Sequence, residues 1–124
     1  MPKFDIKPSD DLTEVAIQID GIPVKANALQ LDALIEGLIA ARAQLKPFIP
    51  TEPPAGQVQA IIDPNYWTKF DAENGMSLLM LRHPGMGWCS FLLPPAERDR
   101  LAQYLVKQAE QGGPAPAAPA SSVH

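Results

Sequence analysis

The chain has 124 residues, 46% of them apolar and 19% charged, a composition that fits a globular protein with one modest core and excludes a wholly disordered one. Its formal net charge is −4, with lysines and arginines scattered singly, so there is no broad basic field to hold duplex DNA. A single cysteine, Cys89, excludes an internal disulfide, and with only two histidines beside it the chain lacks the ligands of a Cys/His zinc site.

Residues 1–11 are charged and hold two prolines, unlike a secretory signal, and no run approaches the roughly 20 apolar residues that span a bilayer. A cytoplasmic chain without membrane contact is expected. Phe4 and Ile6 alternate with Lys3, Asp5 and Lys7, which predicts a short strand, and the run Pro8-Ser9-Asp10-Asp11 ends it. Val15, Ile17 and Ile19 then alternate with polar residues, Asp20-Gly21 supplies a two-residue type I′ turn, and Ile22, Val24 and Ala26 alternate back. That turn pairs Ile19 with Ile22, Ile17 with Val24 and Val15 with Ala26, all on one face. Pro23 falls opposite Gln18 at a position where a missing N–H does not matter to the partner strand, so the returning strand is placed at a sheet edge.

Asn27 and Gln30 have the spacing of a helix-capping pair. Leu31, Leu34, Ile35, Leu38, Ile39 and Leu45 follow at helical spacing, predicting a helix over 27–46 that Lys46-Pro47 closes. Four prolines make 47–57 an extended connector. Val58 to Ile62 reads as a further strand, Asp63-Pro64-Asn65 turns the chain into Tyr66, Trp67 and Phe70, and Asn74-Gly75 turns it again. Next come a strand from Leu78 to Arg82, a five-residue loop over 83–87, a strand from Trp88 to Leu93 and a helix from Pro95 to about Glu110. In that hairpin Leu79, Leu81, Cys89 and Phe91 share one face, and Leu78, Met80, Trp88 and Leu92 the other. Both faces are apolar, as in the middle of a layered body or at a subunit interface, and a homodimer is the expectation for so small a chain.

The second hairpin and helix read as a reworked copy of the first, with a longer turn. The expected architecture is therefore α+β: a duplicated strand-strand-strand-helix unit whose antiparallel sheet or sheets carry two amphipathic helices on one face. The expected domain covers 1–111, with copies at 3–46 and 66–110, and Leu34, Leu38, Leu101 and Leu105 are candidate core residues. The Pro/Ala-rich segment 112–124 reads as a disordered tail.

Two stretches draw attention as binding candidates. Arg82, His83, Met86 and Trp88 bring a cation, an imidazole, a thioether and an indole to one hairpin end, the residue types that dominate protein-binding hot spots. The alternative is that Pro84, Gly85 and Gly87 merely build the turn while Trp88 packs against a helix. Tyr66, Trp67, Lys69 and Phe70 interleave aromatics with a cation, as a single-stranded nucleic acid platform requires, or else supply aromatics to a sheet core. From Trp67 to Lys107 the cations Lys69, Arg82, Arg98, Arg100 and Lys107 outnumber Asp71, Glu73, Glu97 and Asp99 by only one.

The element order, with the stretch from Gly87 to Pro94 leading into a helix, is similar to the modules of the Whirly and PUR-type single-strand binders. That similarity implies a fold-level analogy, since none of their signature motifs is present. Chemistry for catalysis is sparse. His83 and Cys89 are the one nucleophile-base pair on offer, and Cys89 sits in an apolar hairpin register where a thiol is inert. Asp63, Asp71 and Glu73 flank turns, and no phosphate loop, metal-ligand cluster or serine elbow occurs. The sequence thus points away from an enzyme and toward a cofactor-free, metal-free interaction or assembly module that engages a partner protein, with an inhibitor or accessory subunit of a larger complex as one form of it. Single-stranded nucleic acid binding is the alternative.

Overall fold

The computed structural model describes residues 3–112 and is an α+β protein with two antiparallel three-stranded sheets and two helices. The chain divides into two compact units between Gln57 and Val58.

In the first unit β1 (Phe4–Pro8), β2 (Glu14–Ile19) and β3 (Ile22–Asn27) pair in sequence order, followed by α1 (Ala28–Gln44). The β2–β3 register is the expected one, Ile19 opposite Ile22 and Val15 opposite Ala26. Asp20 and Gly21 have φ of 51° and 82°, the two left-handed positions that a type I′ turn demands. Phe4 lies opposite Ile19 and Ile6 opposite Ile17, so all three strands send their apolar residues to one face. Asp5, Lys7, Glu14, Gln18 and Lys25 take the other. Pro23 lies on β3, an edge strand as expected.

The loop joining β1 to β2 is held by Asp11, whose Oδ1 accepts from the Ser9 hydroxyl at 2.7 Å, the Thr13 hydroxyl at 2.8 Å and the Thr13 N–H at 3.2 Å. These donors, the Ser9 hydroxyl foremost, hold the carboxyl below its ordinary 3.8. At the start of α1 the Asn27 side chain accepts from the Gln30 N–H and the Gln30 side chain accepts from the Asn27 N–H, each at 2.9 Å, a complete capping box. Replacing Asn27 with Ala removes one of these bonds and should lower the urea unfolding free energy by about 1 kcal/mol. The helix ends at Gln44, two residues before the expected boundary, because Pro47 bars the helical region to Lys46 and Leu45 is already extended.

Val15 (7% exposed) and Ala26 (8%) are the buried hydrophobic residues among those described. The expected core positions Leu34, Leu38, Leu101 and Leu105 are instead 42%, 59%, 37% and 55% exposed. Helical spacing marks which residues share a stripe, but a stripe is buried only where something lies against it. Leu31 sits beside Val15 and Ala26, whereas Leu34 and Leu38 have no such cover.

In the second unit β4 (Tyr66–Asp71), β5 (Met76–His83) and β6 (Gly87–Leu93) again pair in sequence order, followed by α2 (Pro95–Gly112). Residues 58–62 form no strand, contrary to expectation; Val58 and Ile62 are 61% and 91% exposed, and the sheet has no fourth member to pair with them. Gly75, at φ 71°, closes the β4–β5 turn with its N–H on the Asp71 carbonyl at 2.9 Å, while Asn74 Oδ1 accepts from the Met76 N–H at 3.0 Å. The second hairpin keeps the expected register, Arg82 opposite Trp88 and Leu81 opposite Cys89, but adds the pair His83 and Gly87. Its loop is therefore residues 84–86, shorter than expected, because Gly87 at φ 78° takes the left-handed position that returns the chain to the strand. The last helix runs to Gly112, so only the remainder of the Pro/Ala-rich segment lies outside the described residues.

Candidate functional site

The β4–β5–β6 register separates the aromatic residues that the sequence lists side by side. Trp67 lies opposite Met80, Lys69 opposite Leu78, and Arg82 opposite Trp88, so these six side chains share one face of the sheet with Leu92. Tyr66, Phe70 and His83 belong to the other face, with Leu79, Leu81, Cys89, Phe91 and Leu93. The expected Tyr66–Trp67–Phe70 cluster is thus divided by the pleat. Both faces are apolar, as the hairpin pattern predicts.

On the second of these faces α2 lies across an apolar groove of about 620 Å³, whose walls include Leu79, Leu81 and Leu93 from the strands and Arg98, Leu101 and Leu105 from the helix. The Arg98 Nε is occupied by Asp99 Oδ1 at 2.9 Å. Arg100 and Glu97 form a second exposed pair at 3.4 Å; neither pair contributes much in water.

The first face carries the more specific geometry. Trp67, Met80 and Trp88, with Asn65 and Tyr66 at the margin, line a shallow, almost wholly apolar recess of about 320 Å³. Trp88 is 47% exposed, whereas Trp67 and Met80 are half-buried, so Trp88 is the more exposed of the two indoles. Lys69 and Arg82 supply cations on the same face, and Asp71 an anion near its end. Asn65 and Met80 were not singled out from the sequence as site residues. Met80 alternates with Leu78 and Arg82, but its position across from Trp67 depends on the β4–β5 turn, a four-residue loop in which Asn74-Gly75 takes the last two places instead of forming a two-residue turn by itself.

Beside the recess the hairpin end is a folded knob. His83 Nδ1 accepts from the Gly85 N–H at 3.0 Å and the Met86 N–H at 3.1 Å, which turns the imidazole inward over the loop, while Met86 is 50% exposed. Cys89 Sγ is directed at the Gly87 carbonyl, 3.7 Å away. His83 and Cys89 share a face, yet each engages the backbone of the turn and no hydrogen bond joins them. Among the described residues no group of three or more His, Cys, Asp or Glu side chains gathers as metal ligands, and no helix is long and apolar enough to cross a membrane.

No protein-family model, curated protein or solved structure matches the chain.

Proposed function

We propose that this chain is a non-catalytic, cytoplasmic interaction or assembly module, homodimeric, that presents the Trp67–Met80–Trp88 recess and the adjoining hairpin end to a partner protein. The observation that carries this reading is the apolar recess beside a knob bearing Arg82 and Met86, on a sheet face that α2 leaves open. A flat aromatic recess flanked by an arginine is the composition of an interface centre, where burial of an indole and a guanidinium gives most of the affinity. An inhibitor or accessory subunit of a larger complex uses such a surface without chemistry of its own. We also read the two strand-strand-strand-helix units as copies of one module, each helix set over one face of its sheet; the shared element order and short hairpins support this.

A second reading, single-stranded nucleic acid binding, is favoured by one observation: the register puts Lys69 and Arg82 on the face of Trp67 and Trp88, where bases could stack while the cations follow phosphates. One experiment separates the two. Light scattering on the eluting protein, with and without a fluorescent single-stranded oligonucleotide at low and moderate salt, should show a dimer that ignores the oligonucleotide. Salt-sensitive co-migration, lost in Trp67→Ala and Trp88→Ala, would replace the first reading with the second.

A further inference from the structure

We propose that the aliphatic face of the β1–β3 sheet is the seam between two copies of this chain, packed face to face about a twofold axis. This rests on the homodimeric reading above and adds where the copies meet.

Phe4, Ile6, Ile19, Ile22 and Val24 on that face are 65%, 65%, 45%, 68% and 55% exposed, and only Val15 and Ala26 at one end of it are buried. A sheet that is apolar on one side must bury that side against something. Within this unit the burial stops at the Val15–Ala26 end. Two buried side chains cannot offset the roughly 1–2 kcal/mol of backbone entropy lost by each ordered residue. The unit has the appearance of half a core, which is how the interface of an obligate homodimer looks when its partner is removed.

Three observations favour a second copy over a different protein. The face carries no charge, because the register sends Asp5, Lys7, Glu14 and Lys25 to the opposite side. A twofold contact sets the same patch against itself, so an uncharged, aliphatic surface meets its copy without like-charge repulsion and without unpaired polar groups. A foreign partner would need some polar pattern to be chosen by, and this face has none.

The area is also of the right size. The five exposed side chains offer on the order of 600 Å² of apolar surface, most of the about 800 Å² per partner in a standard interface. Finally, Pro23 removes an N–H from the outer edge of β3, so edge-to-edge strand pairing is blunted there and face-to-face packing is left as the way to associate.

The test uses the full chain and light scattering across a dilution series. Ile22→Lys combined with Val24→Lys should weaken dimerisation by about 100-fold, since each lysine would be buried without a counter-charge. Trp67→Ala with Trp88→Ala should leave it unchanged. A folded lysine variant, judged by circular dichroism, that dimerises like the wild type would overturn the seam while leaving the assembly reading intact. A monomeric wild type would overturn both.

Should the lysine variant fail to fold, neighbouring cysteines on opposite faces give the answer. In a Cys89→Ala background, Val24→Cys should cross-link into a covalent dimer with a short bismaleimide and Lys25→Cys should not. Equal cross-linking at both positions, or none at Val24→Cys, would refute the proposal.

Discussion

Val15→Asp should abolish the β1–β3 sheet, visible as loss of the cooperative urea transition of that unit by circular dichroism. Val15 is 7% exposed, opposite Ala26 on β3 and Pro8 on β1, with no cation on its face of the sheet. A carboxylate there is either desolvated without a partner or protonated, and the change costs upwards of about 3 kcal/mol where whole domains have about 5–15 kcal/mol. Lys25→Asp is the matched control. It sits one residue from Ala26 but on the charged face, and should stay within about 0.5 kcal/mol of the wild type. Equal effects at the two positions would mean that the pleat does not divide inside from outside as described.

Gly87→Val is expected to have the next largest effect, and it reaches the candidate site. The residue has φ 78°, a conformation that β-branched side chains avoid most strongly. A Cβ at this position would meet nothing within 4 Å, so the penalty is one of backbone alone, not of crowding. We expect a loss of about 2 kcal/mol in Gly87→Val, about 1 kcal/mol in Gly87→Ala and less in Gly87→Asn, since asparagine tolerates the left-handed region. Because Trp88 follows directly and lines the recess, the valine variant should also shift tryptophan emission to the red. A stability order that followed side-chain volume without regard to the asparagine would contradict the backbone explanation.

The elements that read well from sequence are those whose information is local. Asp20-Gly21 names its own turn, and with it the register of three residue pairs; Asn27 and Gln30 three positions apart name a helix start. Pro23 even indicates the edge strand. The losses arise where a partner decides the outcome. Val58, Ile61 and Ile62 have strand composition, yet become a strand only if a neighbour offers hydrogen bonds. Leu34, Leu38, Leu101 and Leu105 are correctly spaced for a buried stripe, but spacing carries no statement of what covers it. The recess was half visible: Trp88 and Met80 share a face in any reading of the hairpin, whereas Trp67 joins them, and Tyr66 and Phe70 depart, through the turn at 72–75, which Asn74-Gly75 announces without fixing the four-residue length that sets the register.

The hydrogen bonds inside the hairpin knob also settle which tautomer His83 adopts. With Nδ1 accepting from two backbone N–H groups, a neutral ring carries its hydrogen on Nε2. The nitrogen left for contact outside the knob is then a donor. It can address a carbonyl or a carboxylate on an incoming surface, but it has no lone pair to give to a metal ion or to a partner's N–H. On the reading proposed above, His83 would offer a partner a donor at the hairpin end, on the sheet face opposite to that of Arg82.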